Sequence, residues 1–501
     1  MSTDDAPQDK VLPQDAEKSG LLIQTDGSTK VYLRRWLMLT LFCAFSVTTA
    51  YQWIHLNIIA NIVIRYYNSS LPGDSLQQEA AVDWLSLIYM LVYLPTIVPA
   101  MMLLNNKGLR VNNIVGSLLN TMGAWLKVGA LGPERFPVLM TGQVLCAMAE
   151  VFVVSIPPRL AAVWFGPDQV STATSLGVFG NQIGVAVGFL IPPILVNNSP
   201  NITDIGAGLT VMNYGTASVT TAIFLLMLVG YQAEPKIPPS RARLLAQHTS
   251  RHQNYRQSLH ALITNLNFIL LAVSYGILTG AFYAISTLLN GIMLYYFPGE
   301  EENTGRIGLT IVLAGIAGAI MAGLWLDKTK AFKWTSVGIY ALSLVGMIAF
   351  TVIIECDLNR IWIIYLVAGF LGFFMTGYLP VGYEFAAEIT YPASEATSSG
   401  ILTSSAMFCG MILTLGMRAV MNRVSILAAN ITLCSVVCLG VILTAMVRPD
   451  YRRQAAETQV VEKLNHIELT IAPPANSTRE TTLPGLAEPG PDEQFNKPLT
   501  Q

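Results

Sequence analysis

Two sets of six long apolar segments flank one polar stretch, residues 234–260, and this arrangement restricts the chain to very few folds. Each segment is about as long as the ~20-residue helix that crosses ~30 Å of hydrocarbon. In lipid, only helices and closed barrels satisfy all of their backbone polar groups. The sequence therefore predicts an all-α membrane protein with two six-helix halves. The segments are residues 36–64, 82–104, 111–128, 136–164, 170–196 and 209–231, then 261–297, 307–326, 334–354, 361–383, 393–420 and 424–446.

Composition excludes a soluble chain. Hydrophobic residues make up 52% of the sequence and charged residues 12%, whereas soluble domains carry about 25% charged residues. The central stretch is basic, with Lys236, Arg241 and Arg243 near its start, and we interpret it as a cytoplasmic linker. The predicted regions are a disordered tail at 1–35, a six-helix bundle at 36–233, the linker at 234–260, a second bundle at 261–447 and a disordered tail at 448–501.

Charge at the segment ends predicts the orientation. Arg34 and Arg35 precede the first segment, and basic residues favour the cytoplasmic side. Because the number of segments is even, both termini are predicted to be cytoplasmic. The glycosylation sequons at Asn68 and Asn201 then fall in outer loops, although arginines such as Arg418 weaken the charge contrast there. Without an organelle address we expect the plasma membrane and leave an endomembrane or the mitochondrion open.

A short motif occurs near the same place in each half. Gly323-Leu-Trp-Leu-Asp327-Lys328 links the second and third segments of the second half, and its counterpart in the first half is residues 101–110. This motif resembles the loop of the major facilitator superfamily, in which a glycine lets helices approach closely and an acid pairs with basic residues at the inner gate. Two copies in register imply parallel repeats and a twelve-helix major facilitator fold. The resemblance assigns gating roles to Gly323, Asp327 and Lys328, and to Asn105, Gly108 and Arg110 in the first copy.

A second repeat places two residues at equivalent positions. The spacing from Pro167 to Gln182 equals that from Pro392 to Met407, so Gln182 and Met407 are expected to face each other across a central cavity. Small residues near them permit close contact between helices, and packing alone would also produce this pattern. They are Gly177, Gly180, Gly184 and Gly188 in the fifth segment and Gly308, Gly315, Gly318 and Gly323 in the eighth.

Polar and aromatic side chains within the segments are the candidates for chemistry. No nucleotide loop, metal-binding cluster or nucleophile motif is present with the spacing that its chemistry needs, so we expect no enzyme activity, cofactor or metal. Trp53 and Tyr283 occupy corresponding places in the first segment of each half. Their rings could hold a quaternary ammonium through cation–π attraction or stack on a flat apolar ligand. Ionisable groups near membrane depth include His55, Asp83, Lys127, Glu150, Arg159, Glu384 and Glu388, and each could serve as a proton relay or a substrate counter-ion. Glu384, after Pro380, is the candidate for proton coupling.

Five motifs together resemble one family within this superfamily. They are Tyr51-Gln52-Trp53-Ile54, Asp83-Trp84-Leu85-Ser86 with Tyr89-Met90, Gly180-Asn181-Gln182-Ile183-Gly184, Gly280-Ala281-Phe282-Tyr283 with residues 286–290, and Tyr391-Pro392 with residues 397–400. The chain is similar to the feline leukaemia virus subgroup C receptor-related transporters from residue 36 to about residue 446. Members of that family are associated with the uptake of choline and ethanolamine, and historically with haem export.

This resemblance implies a substrate site. Trp53 and Tyr283 would surround an ammonium group, with Gln182 near the hydroxyl and with Tyr89 and Met90 as neighbours. Where the family has a second glutamine in the eleventh helix, this chain has Met407. We include the aromatic residue Tyr275 in the predicted substrate site.

Three functions follow from these observations. We expect a monomeric, alternating-access uniporter of choline and related amines, with the bilayer and a small molecule as partners and no nucleic acid. Haem or porphyrin export is an alternative, for which stacked aromatic rings and His55 would serve. A receptor or sensor without transport is the alternative from another class.

Overall fold

The protein is described by a computed structural model that covers residues 30–166, 169–239, 262–356, 361–391 and 395–455. Within these ranges the regular structure is helical, with no strand. The predictions for residues 1–29, for most of the linker and for the C-terminal tail beyond 455 fall outside the described residues. The division into an N-terminal and a C-terminal bundle stays a prediction, and the terms first half and second half denote helices before and after the linker.

Fourteen helices are described. The first half contains α1 (Arg34–Ile54), α2 (Ala60–Tyr66), α3 (Ser75–Gly129), α4 (Phe136–Val154), α5 (Pro157–Trp164), α6 (Val170–Leu195) and α7 (Ile202–Gly230). The second half contains α8 (Leu266–Tyr296), α9 (Glu301–Thr329), α10 (Phe332–Glu355), α11 (Ile361–Met375), α12 (Tyr378–Thr390), α13 (Glu395–Arg423) and α14 (Ile426–Met446).

Eleven helical stretches in the described residues are long and apolar enough to cross a membrane. The twelfth predicted segment, residues 111–128, is the last part of α3. This long helix contains two predicted segments, which are joined at Gly108. Gly108 has φ 77° and ψ 179°, a conformation that is sterically open to glycine and strained for other residues. The twelve-helix prediction is thus confirmed, with Gly108 making the sharp connection between the second and third segments.

Three predicted segments are each divided into two helices. The first is interrupted by a short 3-10 turn at Asn57–Ile59 between α1 and α2. The fourth divides between α4 and α5, and its counterpart in the second half divides between α11 and α12. Pro157 and Pro380 lie in the first turn of α5 and α12. Proline is tolerated there, because a backbone N–H in the first turn would have no acceptor within the helix. The repeated position of these two breaks agrees with the internal repeat in the sequence.

Apolar side chains cover much of the outer surface. Leu366 is 70% exposed and Val229 84% exposed. Exposed apolar side chains of this kind are unfavourable in water and are favourable in contact with the lipid of a membrane. Aromatic residues are exposed near the helix ends, including Trp334 at the start of α10 and Tyr295 at the end of α8. This placement is typical of residues at the two membrane–water interfaces.

Helices α3 and α8 pass the same levels of the molecule in opposite directions. In α8 the chain begins next to the linker, passes Tyr283 and then reaches Asn290; α3 runs the opposite way, from Asp83 past Tyr89 to Gly108. We call the level of Gly108 and residues 231–239 the linker end. At the level of Asp83 and Asn290 the halves are in direct contact, and this contact region is called the seam: Ile58, Asn61, Glu79, Asp83, Ser86, Phe189, Asn198, Thr287, Asn290, Glu301, Gly308 and Arg418.

Candidate functional site

A cavity lies between the halves on the linker side of the seam. Its volume is about 900 Å³ including the space open to solvent. The residues that line it come from α1, α3, α4, α5 and α6 in the first half and from α8, α12 and α13 in the second. They are Ser46, Ala50, Trp53, Tyr89, Met90, Tyr93, Glu150, Val153, Val154, Pro157, Gly177, Val178, Asn181, Gln182, Val185, Phe282, Tyr283, Leu379, Tyr383 and Met407.

An aromatic pair joins the two halves across this cavity. The ring centroids of Trp53 and Tyr283 are 5.4 Å apart, and the ring planes meet at 75°. This edge-to-face arrangement is a favourable one for aromatic rings. Trp53 lies in the last turn of α1 and is 7% exposed, whereas Tyr283 lies in the middle of α8. The halves therefore meet in the cavity through two π systems.

Four other predicted substrate-site residues line the same cavity: Gln182, Met407, Tyr89 and Met90. The side chains of Met90 and Tyr283 pack closely against α13 at Gly410, which has no side chain. A Cβ at this position would lie 3.1 Å from Met90 Sδ and 3.0 Å from the Tyr283 ring. Gln182 Oε1 and Tyr89 Oη are buried and have no hydrogen-bond partner among the residues that the structure describes. Polar atoms in this condition favour a ligand or water that can bond to them.

Tyr275 does not line the cavity. It is 1% exposed, and its ring packs 5.4 Å from that of Tyr383 and 5.9 Å from that of Tyr378. Gly382 makes room for this ring, since a Cβ at that position would overlap it. Tyr383 itself faces the cavity, with its hydroxyl 2.9 Å from that of Thr403. Tyr275 thus supports a lining residue that the sequence analysis did not identify.

Two polar lining residues were not assigned to the predicted site, although the sequence analysis named Glu150 among the groups that could serve as a counter-ion. Asn181 donates a hydrogen bond to Glu150 Oε1 at 2.8 Å, and this contact joins α6 to α4. Both residues carried a sequence signal: Asn181 precedes Gln182 in a family motif, and Glu150 is an acid within an apolar segment. Neither signal showed that the two side chains share one cavity.

A buried polar network lies behind the cavity in the first half. Gln52 is at its centre: its Nε2 donates to Asn120 Oδ1 at 2.7 Å, and its Oε1 accepts from Lys127 Nζ at 3.1 Å. His55 belongs to this region, is fully buried and stacks on Tyr51 with ring centroids 5.0 Å apart. His55 does not line the cavity, so the geometry does not support its assignment to a porphyrin path.

The seam contains a buried ion pair between α3 and α13. Arg418 Nε and Nη2 donate to the two carboxylate oxygens of Asp83 at 2.5 and 2.9 Å, and Nη1 donates to Glu79 at 2.8 Å. Asp83 is 2% and Arg418 9% exposed. A two-point arginine–carboxylate contact of this kind fixes orientation as well as charge.

Amide and hydroxyl groups extend the seam. Asn290 donates to the carbonyl of Ile58 at 2.7 Å and to Asn61 at 3.2 Å. The Ser86 and Thr287 hydroxyls are 2.6 Å apart, and Glu301 accepts from Asn198 at 2.6 Å. All of these contacts join one half to the other, so the seam closes the cavity on this side.

Comparison with known proteins identifies the family. The Major Facilitator Superfamily profile matches residues 37–414. The choline/ethanolamine transporter flvcr2b of Danio rerio is 46% identical over 438 residues, which cover 87% of this chain and 88% of that protein. The choline/ethanolamine transporter FLVCR2 of Homo sapiens is 44% identical over 434 residues, covering 86% and 81%. This chain belongs to the FLVCR family of the major facilitator superfamily.

Solved structures agree with the FLVCR assignment at the level of the fold. The crystal structure of a D-xylose-proton symporter superposes with a TM-score of 0.65 and 10% identity, over 83% of this chain and 99% of the symporter. The sequence resemblance to the FLVCR transporters is confirmed, and so is the major facilitator fold. The protein is a multi-pass membrane transporter.

The signature loops of this FLVCR-family chain lie at the linker end. Arg110 donates to the carbonyl of Leu228 at 3.2 Å, and Lys328 is exposed in the last turn of α9. Asn105 and Asp327 lie in α3 and α9, with side chains outside the described part of the structure. Gly323 differs from the expectation of close helix packing, because a Cβ there would meet no atom of the described residues within 4 Å.

The remaining predicted positions are exposed. Glu384 lies on the exposed side of α12, one residue after the lining residue Tyr383. Asn68 follows α2 and accepts from Gln78 at 2.8 Å; Asn201 precedes α7 and caps it by accepting from the Thr203 amide at 3.1 Å. Both asparagines lie beyond the seam from the cavity, on the side away from the linker.

Proposed function

We propose that this protein transports choline and ethanolamine across a membrane by alternating access. The Trp53–Tyr283 pair is the observation that carries the proposal, because it places aromatic faces from both halves on one cavity. Aromatic faces attract organic cations by ~0.5 to 2 kcal/mol per ring, depending on desolvation. The relatives named as choline/ethanolamine transporters support this substrate class.

The position of the pair links binding to conformational change. Since Trp53 belongs to α1 and Tyr283 to α8, a cation held by both rings draws the two halves together. Binding energy that favours one arrangement of the halves shifts the population toward it. The transport cycle then requires the seam to open as the linker end closes.

The direction of transport follows from charge and topology. We place the linker end and both termini in the cytoplasm of a plasma-membrane monomer. Glycans at Asn68 and Asn201 would then lie outside the cell. A cation entering a negative-inside cell gains ~2.3 kcal/mol per 100 mV, which is enough for uniport to accumulate substrate. Uniport needs no coupled ion, so the alternative of proton coupling through Glu384 is a separate proposal.

Uptake by cells that express the wild type and two cavity variants tests this function. Labelled choline and ethanolamine are expected to enter faster with the wild type, and choline affinity is expected to fall by about 2- to 30-fold in Trp53→Ala and in Tyr283→Ala, from the cation–π range per ring. Surface expression is measured for each variant.

A matched control comes from a second aromatic pair. Trp125 and Tyr214 meet edge to face at 6.3 Å, and Trp125 is 46% exposed outside the cavity. Trp125→Ala is expected to keep wild-type choline affinity. If expression of the wild type left choline uptake unchanged and made labelled haem leave the cells faster, the proposal would be overturned in favour of porphyrin export.

A further inference from the structure

Glu150 differs from every other residue that lines the cavity. Among the lining residues in the described part of the chain it is the one carboxyl group, and none is Lys, Arg or His. The remaining lining side chains are aromatic, aliphatic, or neutral and polar. A single acid in such a setting determines the sign of the charge that the cavity accepts.

One oxygen of this carboxyl lacks a partner. Glu150 is 9% exposed; Oε1 accepts from Asn181 at 2.8 Å, whereas Oε2 is buried and has no hydrogen-bond partner in the described part of the chain. Thr49 is beside this group, but its hydroxyl donates to the carbonyl of Ser46 at 3.0 Å. A buried carboxylate with an unmet oxygen is costly unless a cation or a donor reaches it.

We propose that Glu150 is the counter-ion for the positively charged substrate and makes the cavity select organic cations over neutral molecules of the same shape. This inference rests on the proposed function and adds to it the residue that recognises charge. The substrate class becomes small amines that carry a permanent or protonated positive charge. Oε2 supplies the full negative charge that the π faces of Trp53 and Tyr283 lack.

The two contributions can be separated experimentally. A neutral molecule of the shape of choline still packs against the rings, because apolar contact does not depend on charge. It gains nothing from a carboxylate and must desolvate it without compensation. Because the rings also attract the cation, the change in the ratio of choline affinity to isostere affinity when Glu150 is substituted, with both rings retained, is what reports Glu150.

Binding to the purified full-length protein in detergent tests the inference. The probes are choline, ethanolamine and 3,3-dimethylbutan-1-ol, the uncharged carbon isostere of choline. The wild type is expected to prefer choline strongly. In Glu150→Gln choline affinity is expected to fall about 30-fold or more, as when one partner of a buried charge pair is removed, while the isostere binds as well as before or better.

Two further variants control the measurement. Glu150→Asp keeps the charge and is expected to keep the preference for choline over the isostere. Glu355→Gln removes a carboxyl that is exposed at the end of α10, where it accepts from Tyr296 at 2.7 Å, and is expected to bind all probes like the wild type. Unchanged isostere binding in Glu150→Gln shows that the cavity is intact.

The outcomes separate the inference from the function that it rests on. Wild-type choline affinity in Glu150→Gln would overturn the role of Glu150 and leave choline transport standing. Loss of the preference for choline in a folded Glu150→Asp protein would overturn it as well. A wild type that binds neither choline nor ethanolamine would overturn both.

Discussion

The seam and the cavity are adjacent parts of the contact between the two halves, and they differ in how their polar groups are satisfied. In the seam, Arg418 has its partner Asp83 and Asn290 has its partner in the opposite half. In the cavity, Gln182 Oε1, Tyr89 Oη and Glu150 Oε2 have no partner within the described ranges. Satisfied groups hold one arrangement of the halves, whereas unsatisfied groups favour a ligand. The difference assigns the seam to conformation and the cavity to recognition.

Breaking the ion pair of the seam is expected to have the largest effect. Arg418→Ala leaves the buried Asp83 carboxylate without its cation, which costs about 3–5 kcal/mol and destabilises the seam-closed state. Amide hydrogen exchange at residues 57–61 and 287–291 should accelerate, and choline uptake should fall more than about tenfold.

The control for this change is an exposed arginine on the same side of the protein. Arg306 pairs with Glu302 at 2.8 Å, with side chains 49% and 54% exposed. Such surface pairs contribute about 0–1 kcal/mol to stability. The Arg306→Ala protein should therefore show wild-type amide hydrogen exchange and wild-type choline uptake. Equal exchange rates in both variants would show that the ion pair does not hold the seam.

A steric change in the seam should have an intermediate effect. Gly308 packs against the Phe189 ring, and a Cβ there would lie 2.6 Å from Cγ. Gly308→Val therefore forces α9 away from α6, at about 1–3 kcal/mol for overpacking. We expect a lower melting temperature and slower choline uptake.

The same substitution at Gly323, on the same helix, sharpens the result. Because a Cβ at Gly323 meets no described atom within 4 Å, Gly323→Val should change stability by less than about 0.5 kcal/mol and leave uptake intact. A transport defect in this variant without loss of stability would mean that Gly323 needs its small size in another conformation, as the signature motif implies.

The substitution with the smallest expected effect on transport tests which side of the membrane the seam faces. Thr203→Ala removes the sequon of Asn201 but keeps the helix cap, because the cap uses the Thr203 backbone amide. The protein from cells should migrate faster on a gel, as glycosidase-treated wild type does, with unchanged choline uptake. The absence of glycan at both Asn201 and Asn68 would contradict our assignment of the seam to the outer side.

The sequence predicts the fold well because its main determinant is local. An apolar segment must form a helix in lipid whatever its neighbours are, so hydropathy locates the segments. The interruption at Asn57–Ile59 was not predicted, because the residue that donates to its Ile58 carbonyl, Asn290, is distant in the sequence. Gly323 was interpreted as a packing glycine, and nothing in its sequence context shows that its surroundings are open.

The candidate site divides in the same way. Trp53, Gln182 and Tyr283 come from motifs of a known family, and the structure brings them to one cavity. Whether they bind substrate stays a prediction. Asp83 and Arg418 are 335 residues apart in the chain, and one sequence gives no sign of their pairing. Arg418 instead weakened the charge contrast that predicts orientation.

The interrupted turn between α1 and α2 has a mechanical consequence. Asn290 from the second half donates to Ile58 within this turn and to Asn61 just after it. Any motion that withdraws Asn290 leaves the Ile58 carbonyl in need of water or of a rewound helix. The interrupted form of this turn is therefore supported by a hydrogen bond from the opposite half. Formation of a continuous helix through this turn is therefore coupled to separation of the two halves. The tendency of the segment to form a regular helix then favours the conformation in which the seam is open.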